Sequence, residues 1–236
     1  MSGERLAIVM PVYNEAAVLE QVVEEWQAAL RDEAVECEWI AVDDGSTDST
    51  GEVLRQLAAR HPNRIRIMRQ SNAGHGAACR RGYVEAARSG VDWVLQIDSD
   101  GQCDPRYFAE FWRAREALDC VFGRRSSRAD GAGRRLVSAV CTALVTLIAR
   151  VPASDFNVPY RLMRRNTLAA ALAQVRPEFE LQNVGLTVAL LRLPDIRWMW
   201  RPIHFRARAG GNASLNVRGI VRLAGRMLRQ RGALRA

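Results

Sequence analysis

Asp98, Asp100 and Gln102 stand at alternate positions in DSDGQ, directly after the apolar run WVLQI at 93–97. Two carboxylates and an amide oxygen at that spacing are hard donors. They suit Mg2+ or Mn2+, which keep coordination positions open for substrate phosphates. A diphosphate would complete such a shell, and the cation would neutralise charge developing on a leaving group. The competing reading is an acidic turn that caps the next helix. Asp104, immediately before Pro105, accounts for that role alone.

Other polar residues gather at the ends of apolar runs. LAIVMPVY (6–13) leads into Pro11, Tyr13, Asn14 and Glu15, and EWIAVDD (38–44) ends in Asp43 and Asp44. Two acids at a strand end can accept hydrogen bonds from a base or a ribose. Capping of the following helix explains Asp48 or Ser49 but leaves Asp43 and Asp44 over, and Ser49 with Glu52 fits a capping box. NAGHGAACRRG (72–82) opens a helix on closely spaced glycines. It lacks the G-x-G-x-x-G spacing and follows the third strand, so close helix–sheet packing is its expected role. His75 reads as a packing or surface histidine rather than a catalyst.

The elements that must position these groups alternate. Strands are expected at 6–13, 38–44, 64–69, 92–98 and 120–125, with helices at 16–33, from Ser49, at 72–90 and at 105–118. Such alternation predicts an α/β fold with a mostly parallel sheet covered by helices on both faces. Ligands of such sheets bind beyond the carboxyl ends of the strands, where the acids fall. Beyond residue 130, strands are expected at 156–165 and 196–208, and helices at 166–174 and 182–192. The apolar run 136–149 lies between Arg135 and Arg150. A bilayer-spanning helix needs about 17–25 residues, so a core or interfacial helix is expected there.

The chain has 236 residues, a formal charge of +8 and no lysine. Residues 1–130 hold 16 arginines and 22 acids, a net of −6; residues 131–236 hold 18 arginines and 4 acids, a net of +14. The second half is therefore suited to an anionic surface or ligand. Long apolar runs without interleaved aromatics favour a membrane over nucleic acid. In 217–236, Val217, Ile220, Val221, Ala224, Met227 and Leu228 share one helical face, and Arg218, Arg222, Arg226 and Arg229 line another. That pattern reads as a basic amphipathic helix in an anionic interface, or as a helix packed on the domain. The 5 scattered cysteines include no C-x-x-C pair, which points to a reducing compartment, and no signal peptide is read at the start. A cytoplasmic protein, peripheral on a membrane face, is the expectation.

Taken together, PVYNE (11–15), VDDGSTDST (42–50), NAGHGAACRRG (72–82) and DSDGQ (98–102) resemble the family 2 glycosyltransferases of the GT-A fold. Gln102 after the second aspartate is similar to the dolichol-phosphate mannose synthase and polyprenyl-phosphate branch. DFNVPYRLMRR (155–165) and FRARAGGNAS (205–214) resemble that branch's later motifs more loosely. The resemblance implies a single GT-A domain over 1–236. Residues 1–125 would bind a nucleotide-sugar, 126–216 the acceptor, and 217–236 would form the C-terminal helix. It implies that Pro11, Tyr13, Glu15, Asp43 or Asp44, and Asp98 hold a GDP- or UDP-sugar. Asp98, Asp100 and Gln102 would bind the cation, and Arg125, Arg134, Ser138 and Arg208 a polyprenyl phosphate. Asp100, Arg134 and Arg208 would carry the catalytic work. Departures are the absence of the branch's lysine after that last arginine, a different glycine loop at 209–214, and an expected lack of C-terminal transmembrane helices.

A lipid phosphate is already anionic, so inverting transfer to it needs no general base, only arginines to position it. A hydroxyl acceptor needs a carboxylate base, and Glu178 or Glu180 in RPEFELQN is the candidate. A non-catalytic module binding nucleotide-sugar or anionic lipid is the third reading.

Overall fold

A computed structural model describes residues 3–127, 143, 146 and 155–206. β1 (Leu6–Val12) is buried along its whole length, and β2 (Cys37–Asp43) along its last five residues. Such continuously apolar strands must be covered on both faces. With β3 (Ile65–Arg69) and β4 (Trp93–Gln96) they form the parallel part of the sheet, in the order β3-β2-β1-β4. β6 (Arg161–Arg164) then pairs antiparallel with both β4 and β5 (Cys120–Ser127), and β7 (Trp198–His204) closes the edge parallel to β5. The outcome is the expected α/β architecture, a mostly parallel seven-stranded sheet.

Helices cover the sheet as right-handed crossovers require. α1 (Leu19–Asp32) packs on α2 (Thr50–Arg60) and α4 (Phe108–Ala114). α3 (His75–Arg88) packs on β1 and β2 and against α5 (Arg165–Leu172) and α6 (Gln182–Arg192). A Cβ on Gly82 would run into Val9 Cγ1 and stand 3.3 Å from Val42 Cγ2. The glycine-rich stretch therefore serves close helix–sheet packing, as expected. Gly82→Ala should cost about 1–3 kcal/mol, because the sheet cannot retreat. A lowered urea midpoint would register it.

Several local expectations need correction. Ser49 stands at the N-cap of α2, but its side chain makes no capping bond; Asp48 Oδ1 accepts from Thr50 N at 3.0 Å instead. The Glu52 carboxylate turns to Arg55 and Gln56 on the exposed face, so there is no capping box. Residues 156–160 are not strand but an irregular connection: four of the five are buried and two carbonyls there bind Arg161. The 105–118 helix splits into a 3-10 turn at Pro105–Tyr107 and α4, with Asp104 Oδ1 accepting from Arg106 N at 3.0 Å. Of the apolar run 136–149 only residues 143 and 146 are described, both helical, and the helix expected at 217–236 lies outside the described residues. Among the described residues, no helix is long and apolar enough to cross a membrane.

Candidate functional site

β1 is the point where the sheet order reverses: the chain leaves it for β2 and β3 on one side and returns to β4 on the other. A crevice is expected there, beyond the carboxyl ends. Register sets Val12 beside Asp43 and Val9 beside Gln96, so the polar residues that follow these strands are neighbours.

The β1–α1 and β2–α2 connections are stitched together. Asn14 adopts φ 54°, and its Oδ1 accepts from Thr47 N at 2.8 Å. Its backbone N–H donates to Ser46 Oγ at 3.1 Å, and Glu15 N donates to Thr50 Oγ1 at 2.9 Å. Pro11 and Glu15 are buried, while Tyr13 is 45 % exposed. Asp43 accepts from Ser46 N at 2.9 Å through Oδ1 and faces Arg69 Nε at 3.5 Å through Oδ2. Asp44 is occupied differently. Its carboxylate takes Gln70 Nε2 at 2.7 Å, Ala73 N at 2.9 Å and Gly74 N at 2.8 Å. It fastens the turn that enters α3, whereas Asp43 lies against the β3 end.

Gly101, at φ 78°, lets the chain fold back so that Gln102 N donates to Asp100 Oδ1 at 3.1 Å. Gln102 is a tether. Its Nε2 donates to the Arg206 carbonyl at 3.1 Å, and its own carbonyl accepts from Arg206 N at 3.1 Å. The Arg206 guanidinium in turn reaches Asp104 at 2.9 Å and Glu25. The amide end that could take a hard cation is therefore Oε1.

Asp98 Oδ1 accepts from Gln96 Nε2 at 3.1 Å and lies 3.0 Å from His75 Nε2. Burial opposes its charge, but His75, Arg125 and Arg161 outweigh burial and hold the carboxyl below its ordinary range. An ionised Asp98 only accepts, so His75 Nε2 carries the shared proton. Cys79 leads the groups that hold the imidazole well above its ordinary value; burial opposes, and Asp98 adds.

Arg125 lies 3.7 Å from Asp155 Oδ2 and over the Phe205 ring at 4.9 Å. Glu178 and Glu180 are exposed in the turn before α6, and the Glu180 carbonyl presses on Gly76, next to His75. The structure thus brings Tyr13, Glu15, Asp43, Asp98, Asp100, Gln102 and Arg125 to one end of the sheet. Arg134, Ser138 and Arg208 lie outside the described residues. Sequence reasoning missed Gln96, Arg161 and Arg206; the first two sit in runs that read as ordinary strand.

Among the described residues, no group of three or more His, Cys, Asp and Glu side chains could hold a metal ion by itself. Asp98 and Asp100 both follow the carboxyl end of β4. That fits a hard cation which takes its remaining ligands from substrate.

A family model described as glycosyl transferase family 2 matches residues 7–170. The chain is 30% identical over 171 residues to the undecaprenyl-phosphate 4-deoxy-4-formamido-L-arabinose transferase of Photorhabdus laumondii, covering 72% of this chain and 52% of that protein. To the protein of the same name from Pseudomonas fluorescens it is 33% identical over 170 residues, covering 71% and 49%. The chain therefore spans about half the length of these curated relatives. Its fold is similar to that of glucosyl-3-phosphoglycerate synthase from Mycobacterium tuberculosis, solved with Mn2+, uridine diphosphate and phosphoglyceric acid. The TM-score is 0.67 at 21% identity, covering 99% of this chain and 78% of the other. Mannosyl-3-phosphoglycerate synthase from Rubrobacter xylanophilus superposes with a TM-score of 0.64 at 17% identity, covering 96% and 72%. With its acidic strand ends gathered at the switch point of a GT-A sheet, the chain belongs to glycosyl transferase family 2.

Proposed function

We propose that the chain transfers a sugar, with inversion, from a GDP- or UDP-sugar to a polyprenyl phosphate at a membrane surface, with Mg2+ or Mn2+. Asp98 and Asp100, with Gln102 Oε1, would hold the cation. When bound, the cation would offset the charge left on the departing diphosphate. Glu15, Asp43 and the exposed Tyr13 are placed for the nucleoside end. Asp44 supports them by fixing the turn into α3.

The observation that carries the acceptor reading is Arg125. Its charge reaches Asp98, and its guanidinium stands beside Asp155 and Phe205 at the same end of the sheet. A planar guanidinium there can take two oxygens of a phosphate and orient the third toward the anomeric carbon. The names of the curated relatives, undecaprenyl-phosphate transferases, support the same acceptor chemistry. The +14 charge of residues 131–236 suits an anionic membrane surface. In this reading Arg134, Ser138 and Arg208 complete the phosphate site, and residues 126–216 serve the acceptor.

The competing hydroxyl acceptor would use Glu178 or Glu180, whose turn packs beside His75 through Gly76. Steady-state transfer with purified variants separates the two. Arg125→Ala should raise the acceptor KM at least tenfold, a loss of about 1.4 kcal/mol or more in a charge-assisted contact. Glu178→Ala and Glu180→Ala should turn over as wild type. Loss of turnover in either glutamate variant, with the fold intact, would replace the phosphate acceptor by a hydroxyl.

A further inference from the structure

His75, Cys79 and Tyr83 occur four residues apart, so they line one face of α3. That face meets β4 and α6, and the side chains there close a circuit. His75 Nε2 is 3.0 Å from Asp98 Oδ1, and Cys79 Sγ is 3.7 Å from the imidazole nitrogens. Asn183 Nδ2 is 3.8 Å from Cys79 Sγ, and its Oδ1 is 2.9 Å from Tyr83 Oη. Tyr83 Oη also reaches Gln96 Oε1 at 3.3 Å, and Gln96 Nε2 returns to Asp98 Oδ1 at 3.1 Å. Four members lie in the core: Cys79, Tyr83 and Gln96 are 0% exposed and Asn183 is 3% exposed. Only Asp98 and His75 reach the crevice.

Polar side chains so deeply buried are costly unless they pair, and nothing in packing alone calls for an amide on β4. Gln96 has a definite task. Its N–H and that of His75 both fall on Oδ1 of Asp98, so that oxygen is saturated and the carboxylate is held against rotation. Oδ2 is then the oxygen turned over to a ligand. A flipped Gln96 amide would point its oxygen at the Asp98 carboxylate, and the Tyr83 hydroxyl, 3.3 Å from Oε1, lines the other end of the amide. Asn183 is itself pinned, since its carbonyl accepts from Arg161 Nη1 at 2.9 Å and from Thr187 Oγ1 at 2.9 Å.

We infer that Gln96 and Tyr83 are positioning residues: through the buried circuit they preset the Asp98 carboxylate for the cation–diphosphate ligand. The inference rests on the assignment of Asp98 to that ligand. Partners that orient a ligating group typically change metal affinity by about 10–100-fold when removed.

The test is titration of the full chain with Mn2+, followed by electron paramagnetic resonance, with UDP and then GDP present. Gln96→Leu keeps the volume and removes the N–H on Asp98; it should weaken Mn2+ binding about tenfold or more. Tyr83→Phe frees the amide and should weaken it severalfold. Circular dichroism at the working temperature confirms that each variant is folded, and either variant alone suffices if the other is not. In turnover, the Gln96→Leu defect should lie in the Mn2+ concentration for half-maximal rate, with kcat recovering at high Mn2+. Asp98→Asn should leave the free Mn2+ signal undiminished. If both Gln96→Leu and Tyr83→Phe bind Mn2+ like wild type while Asp98→Asn does not, the circuit is mere packing and the inference falls. If Asp98→Asn binds Mn2+ like wild type, the assignment of Asp98 falls first and takes the inference with it.

Discussion

Arg161→Ala should melt about 10 °C below wild type, the largest stability loss expected of a single change here. The guanidinium is 0% exposed. Its Nε donates to the Val158 carbonyl at 2.5 Å, Nη1 to Asn183 at 2.9 Å and Nη2 to Phe156 at 2.9 Å. It also lies over the Phe122 ring at 5.1 Å. One planar fork thus joins β6, the connection at 156–160 and α6. Truncation recovers the cost of burying a charge, but it takes the Arg161 donor from the Val158 carbonyl at roughly 1–3 kcal/mol, leaves the Phe156 and Asn183 carbonyls to the one Thr187 hydroxyl they share, and opens a cavity. The second effect wins, for a net loss of about 3–5 kcal/mol. At roughly 2–4 °C per kcal/mol for a chain of this size, the shift is well outside error. Arg161→Lys should recover little, because one ammonium cannot meet three carbonyls at the fork's angles. A scan by circular dichroism checks both. A melting temperature within about 2 °C of wild type for Arg161→Ala would mean the three carbonyls find other donors.

Asp100→Ala should lower kcat/KM by about a thousandfold or more while the fold melts as wild type. Asp100 lies on a half-exposed turn after β4, and Gly101, not its side chain, supplies the reversal there. Its loss removes the bond from Gln102 N, worth about 1 kcal/mol. The catalytic loss has a different origin. Without Asp100 the proposed cation site would keep one carboxylate, and several kcal/mol of leaving-group stabilisation would go with the other. About 4 kcal/mol is a thousandfold in rate. Excess Mn2+ should restore little, in contrast to Gln96→Leu, where the ligands remain and only their aim is lost. Single-turnover kinetics at rising Mn2+ distinguish the two.

Much of this was legible in the sequence, because the parallel strands are continuous apolar runs and the acids sit where they stop. Period and crossover rules then set β1, β2 and β4 side by side and Asp43, Asp98 and Asp100 at one end. What escaped was the side-chain wiring. Ser49 and Glu52 have capping-box spacing, yet Glu52 finds Arg55 and Gln56 on its own face and Asp48 takes the cap. Asp44 looks like a twin of Asp43, but its carboxylate also holds Gln70, Ala73 and Gly74. Gln96 sits in a strand where an apolar residue would pass unnoticed. Its purpose shows only when α6 brings Asn183 against Tyr83, a contact 100 residues apart in sequence. Arg161 looks like one more exposed arginine in a basic half. The Arg206 link to Gln102 likewise needs β7 at the sheet edge, beside β5, which no local pattern encodes.

The central claim is the transfer itself, and one assay reaches it. The full chain is incubated with Mn2+, radiolabelled UDP- and GDP-sugars, and undecaprenyl phosphate in anionic vesicles. The expected result is label in an acid-labile lipid fraction, with one nucleoside diphosphate released per sugar, and neither product when the cation is chelated. Label passing instead to a hydroxyl acceptor, or no cation-dependent release from any donor in the presence of the lipid phosphate, would contradict it.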